Sequence, residues 1–114
     1  MTKIYFYDLN IPSCMEFLSR EIEEKGVEII YVDELDYINE FDNYPVLINP
    51  LSSAAVAHWE KIKRFIPANP GRKIIMVTPD YSKKQLEEII GVHLFLNVFE
   101  GGTDFRELFK EITD

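Results

Sequence analysis

YPVLINP, residues Tyr44 to Pro50, reads as a short apolar strand that ends in Asn49 and is stopped by Pro50. Asn49 stands where a strand of this type would deliver a carboxylate to an active site. An amide cannot accept a phosphoryl group as a carboxylate does. It is also a poor ligand for a hard cation such as magnesium, which prefers charged oxygens.

Outward from Pro45 to Ile48, four more apolar runs rich in β-branched and aromatic residues appear at Lys3 to Tyr7, Val27 to Val32, Lys73 to Val77 and Val92 to Val98. In KIYFY, VEIIYV and KIIMV the apolar character is nearly continuous, which suits strands covered on both faces and therefore a parallel sheet. Helical patterns lie between them. The first begins at Pro12 or Ser13, places Cys14, Phe17, Leu18 and Ile22 on one face, and ends at Lys25 and Gly26. Leu35 to Phe41 gives a short second element in which Leu35, Ile38 and Phe41 keep helical spacing. The third runs from Ser52 or Ser53 to Phe65, with Val56, Trp59, Ile62, Lys63 and Ile66 at the expected offsets, and IPANPGR then breaks it. A fourth runs from about Ser82 to Gly91, and the last starts at Thr103 or Asp104 and buries Phe105, Leu108, Phe109 and Ile112.

The resulting βαβαβαβαβα order, with no linker or repeat, predicts one α/β domain over residues 1–114: an open parallel sheet with helices on both faces. For five strands the common doubly wound order is 2-1-3-4-5, with ligands bound at the carboxyl ends of the strands beside the switch between strands 1 and 3.

With 114 residues, 46% apolar and 13% aromatic, the chain has ample material for one core. The single cysteine excludes an intramolecular disulfide framework and a multi-cysteine metal site, and the two histidines are too far apart for a zinc pair. No metal and no cofactor are expected, and a reducing cytoplasm is the expected compartment. No apolar stretch approaches the roughly 18 residues that span a bilayer, and the N-terminus runs directly into a strand, so a soluble, unprocessed protein is expected. A net charge of −8, from 20 acidic and 12 basic residues, argues against nucleic acid and anionic membranes as partners. The acidity serves solubility or docks a basic partner.

Strand 1 leads into Asp8, strand 3 into Asn49 and strand 4 into Thr78, and in the 2-1-3-4-5 order these three strands are neighbours. Their polar ends are expected to converge. Pro50 and Pro79 follow at once, each removing a backbone donor where the ladder stops.

On these residues the chain resembles, over nearly its whole length, the receiver domains of two-component response regulators. KIYFYDLN looks like the first strand with its acidic end, VLINP like the strand that ends in the phospho-accepting aspartate, and KIIMVTPD like the strand that ends in the switch Thr/Ser. FLNVFEGGTDFRELFKEI is similar to the final strand, lysine-proline turn and last helix. The resemblance implies a CheY-like, flavodoxin-like three-layer sandwich with a five-stranded parallel sheet of order 2-1-3-4-5. Carried over position by position, Asp8 matches the first metal-binding acid, Thr78 the switch hydroxyl, and Phe95 sits near the switch aromatic. The second acid falls on Leu9, the acceptor on Asn49, the lysine on Val98 or Asn97, and its proline on Phe99. The losses are coherent, because without an acceptor there is no phosphoryl charge for the metal acids or the lysine to neutralise. Such a pseudo-receiver is expected to be no enzyme. Its expected role is phosphorylation-independent signalling or protein interaction, with a protein partner or a second copy on the face formed by the fourth helix, fifth strand and last helix.

Other readings stay open. Asp8, Asn49 and Thr78 can simply finish their strands by hydrogen-bonding one another or the following backbone, or they can form a vestigial pocket for an ion, a small ligand or a partner group. IPSC around Cys14 is weakly similar to the CPxC turn of glutaredoxins. Ile11 stands where the first cysteine would be, which leaves only a monothiol redox protein using Cys14, or a buried apolar cysteine. A small-ligand sensor of flavodoxin-like fold is the remaining alternative. His58 beside Trp59 is expected at the surface or its rim, since no serine, cysteine or acid is placed to work with it.

Overall fold

The computed structural model describes residues 2–7, 13–49, 57–78, 94–97, 108–110 and 112. Five strands, β1 (Lys3–Tyr7), β2 (Glu28–Val32), β3 (Val46–Ile48), β4 (Ile74–Thr78) and β5 (Leu94–Asn97), form one sheet in the order β2-β1-β3-β4-β5. Every pairing is parallel. Among the described residues, two helices, α1 (Ser13–Glu24) and α2 (Trp59–Ala68), accompany the strands, and residues 108–110 and 112 are also helical.

The inner strands β1, β3 and β4 bury both faces, which is why their sequences do not alternate. Tyr5 and Tyr7, Val46 and Ile48, and Ile74 and Met76 join Ile62 and Ile66 of α2 in one core. Ile4, Phe6, Leu47, Ile75 and Val77 join Leu18 and Ile22 of α1, together with Leu108 and Ile112, in a second core on the opposite face. Each such aliphatic side chain, fully buried, contributes about 1.5–3 kcal/mol relative to exposure, so the two cores hold the layers together. On the outer strand β2, Tyr31 is partly exposed and meets the Phe6 ring edge-on at 5.7 Å.

Helix α1 ends where Gly26 takes φ +84°, a conformation that suits glycine. The Gly26 N–H donates to the Glu23 carbonyl at 3.0 Å and the Val27 N–H to the Ile22 carbonyl at 3.4 Å, the paired bonds of a Schellman cap. This cap reverses the chain directly into β2.

Two expectations are corrected. The element after β2 is only a 3₁₀ turn over Leu35–Tyr37, and Ile38 is already extended at φ −78° and ψ 122°. Leu35 and Ile38 are buried, but the helical spacing is lost before Phe41, which is 90% exposed. Helix α2 also continues beyond Phe65 to Ala68, through Pro67 in its last turn. There the side chain of Asn69 donates to the Phe65 carbonyl at 2.8 Å, and its backbone N–H donates to the Ile66 carbonyl at 3.2 Å, so the final turn is closed without a further helical residue. The predicted fourth helix, Ser82 to Gly91, lies outside the described residues.

Candidate functional site

The register of the sheet sets what meets at its carboxyl edge. Tyr7, the last residue of β1, is level with Ile48 of β3, and Ile48 is level with Met76 of β4. Asn49 follows Ile48 in the middle of the sheet, is completely buried, and donates its backbone N–H to the Tyr7 carbonyl at 3.5 Å. Thr78 is the last residue of β4 and is level with Asn97 of β5, while Phe95 is level with Met76. The structure therefore brings Asn49 and Thr78 to the same end of adjacent strands. Asp8, the third member of the expected edge, lies outside the described residues, as do Leu9, Val98 and Phe99, and the side chains of Thr78, Phe95 and Cys14.

Asn49 is the polar group that the middle strand buries here. A neutral amide is tolerated in a buried position once its hydrogen bonds are met, whereas a carboxylate there needs compensating cations. Among the described residues, no group of three His, Cys, Asp or Glu side chains is arranged to hold a metal ion. No helix in the described residues is long and apolar enough to cross a membrane.

Tyr7 was not singled out by the sequence, yet it lies under this edge. Its side chain is almost wholly buried, and its hydroxyl has no hydrogen-bond partner among the described residues. The His58 ring packs against it edge-on at 6.3 Å. His58 Nε2 lies 3.7 Å from Glu34 Oε1, and Lys61 Nζ lies 3.5 Å from Glu34 Oε2. Burial, then the negative charges of Glu34 and Asp33, push the Tyr7 phenol up to about 12. It is thus a neutral hydroxyl throughout the physiological range, able to donate one hydrogen bond and accept others.

A second polar cluster, also not foreseen, sits at the other end of the strands. Arg72 is almost wholly buried, 3.2 Å from Asp42 Oδ1, and Tyr5 donates its hydroxyl to Asp42 Oδ2 at 2.5 Å. The turn that delivers Arg72 is legible in Asn69-Pro70-Gly71-Arg72: Gly71 has φ +85° and the Arg72 N–H returns to the Asn69 carbonyl at 3.2 Å. The burial of the arginine has no local signal, because its partners come from residues about thirty positions earlier in the chain.

A scan against protein-family models finds no match, and a search of curated proteins finds none either. The α/β class and the parallel sheet therefore rest on the structure itself.

Proposed function

We propose that this chain is a phosphorylation-independent signalling or protein-interaction domain with the CheY-like, flavodoxin-like three-layer architecture of a response-regulator receiver. The observation that carries the reading is Asn49, a buried amide directly after the middle strand of an order 2-1-3-4-5 parallel sheet. In a receiver that position holds the carboxylate that accepts the phosphoryl group. An amide there cannot form the acyl phosphate, and its neutrality removes the need for the second acid and the lysine that are absent at Leu9 and at Asn97 or Val98.

The partner, a second protein or another copy of this chain, is proposed to use the face that includes β5 and the last helix. Lys110, exposed on that helix, offers a substitution that leaves the core intact. A partner retained from the protein's own cell extract is expected to bind equally with and without a phosphodonor and to be lost on Lys110→Glu. Binding that requires the phosphodonor would refute the reading.

One observation favours a second reading, a small-ligand sensor at the carboxyl edge. The buried Tyr7 hydroxyl, unpartnered among the described residues, is a donor of the kind that a bound polar molecule satisfies. A thermal-shift screen of small polar metabolites on wild type and Tyr7→Phe tests it: a ligand that stabilises only the wild type supports the sensor.

A further inference from the structure

The residues after the 3₁₀ turn, Asn39 to Tyr44, form a loop at the amino ends of β3 and β4, the opposite end of the sheet from Asn49. The loop is tied down to an unusual degree. Arg72 donates Nη2 to the carbonyls of Asn39 at 2.8 Å and Asp42 at 2.6 Å, and Nη1 to the Tyr44 carbonyl at 3.3 Å. The Asp42 carboxylate is held by Arg72 and the Tyr5 hydroxyl, and its Oδ1 accepts the Tyr44 N–H at 3.3 Å. Asn39 Oδ1 accepts the Phe41 N–H at 2.8 Å.

On this clamped loop Phe41 is 90% exposed. A scattered apolar side chain in water needs no explanation. An aromatic ring carried by a loop that a buried arginine immobilises is different, because little ordering remains to be done when the ring is covered. Two open grooves of about 510 Å³ each flank Phe41. Ala68 and Asn69 at the end of α2 line both, and Phe65 lines one. Asp36 and Glu40 bring negative charge to these walls, and among the described residues neither forms an ion pair. The cation on the walls, Arg72, is already engaged by Asp42 and three carbonyls.

We propose that Phe41, Phe65 and the flanking acids Asp36 and Glu40 form a docking surface for a protein segment that presents a lysine or arginine next to an apolar side chain. The apolar side chain fills a groove against Phe41 and Phe65, and the cation pairs with Asp36 or Glu40 while lying over an aromatic face. The chain's net charge of −8 steers such a segment toward the surface. This surface lies away from Asn49 and does not depend on the receiver reading.

The test is selection of a random peptide library displayed on phage against the intact protein, followed by titration of the strongest peptide. Selected sequences are expected to pair Lys or Arg with Leu, Ile, Phe or Trp and to shift backbone amides of residues 36–43 and 65–70. Phe41→Ala and Glu40→Lys are each expected to weaken binding by about tenfold or more, as loss of an anchor does. Both variants should melt with the wild type, since both side chains are exposed. Failure to enrich basic peptides, or binding that survives Phe41→Ala, would overturn the proposal. So would a wild-type dimer that Phe41→Ala converts to monomer in sedimentation, because the occupant would then be a second copy of this chain.

Discussion

The backbone N–H of Asn49 reaches the carbonyl of Tyr7 at 3.5 Å, joining the central strand to β1 where the sheet opens at its carboxyl edge. Both side chains are buried, and neither carries charge at neutral pH. The pair places neutral, buried hydrogen-bonding groups where β1 and β3 end.

Two tyrosines on the same strand should respond oppositely to loss of their hydroxyls. Tyr5→Phe removes a bond to a carboxylate and should destabilise by about 2 kcal/mol. Tyr7→Phe removes a buried hydroxyl that lacks a partner among the described residues and should stabilise by about 1 kcal/mol. Urea midpoints of the two variants check this, and a loss of stability in Tyr7→Phe would mean that the hydroxyl is satisfied.

Alkaline pH should unfold the protein through the same groups. Both phenols are raised above their ordinary value of 10.0, Tyr5 by burial and its bond to Asp42, and Tyr7 by burial to about 12. Above pH 10 the unfolded chain releases these protons while the folded chain keeps them. These groups therefore leave stability unchanged below about pH 10 and lower it as pH rises toward 12. Urea melts across that window should show the fall, and Tyr7→Phe should make it shallower.

Arg72 is predicted to be the most sensitive cation. Arg72→Met leaves Asp42 without its ion-pair partner and three carbonyls without their donors, a change expected to cost about 3 kcal/mol or more. Arg72→Lys should recover only part of it, since a single ammonium cannot reproduce the planar fork. Hydrogen exchange should show the Asn39–Tyr44 loop opening in both.

Restoring a carboxylate at the edge should be costly. Asn49→Asp places an acid at a completely buried position, and burial raises the pKa of the folded acid. The variant should thus be closest to wild type in acid and lose stability as pH rises above about 4, by about 3 kcal/mol at neutrality. Stability equal to wild type at neutral pH would show that the edge keeps the compensating cations of an active receiver.

Much of the sheet was legible because burial on both faces leaves nearly unbroken apolar runs in KIYFY and KIIMV. The end of α1 was legible because Gly26 is the residue that its cap demands. Phe41 is the exception, because three apolar residues at helical spacing cannot reveal that the turn stops at Tyr37. Helix α2 was cut short because Pro67 reads as a stop, yet Asn69 closes the turn beyond it. At the candidate edge, a strand end and its amide could be placed from sequence. Tyr7 could not, because which face a tyrosine takes and whether its hydroxyl finds a partner depend on elements distant in the chain. The Tyr5, Asp42 and Arg72 cluster was hidden for the same reason.

Whether Asn49 leaves this edge unable to accept a phosphoryl group is read by intact-mass spectrometry after incubation with acetyl phosphate and magnesium. The wild-type mass is expected to stay unchanged while a functional receiver treated in parallel gains a phosphoryl group. A stable phosphoryl adduct on this chain, mapped to the carboxyl edge beside Asn49, would contradict it.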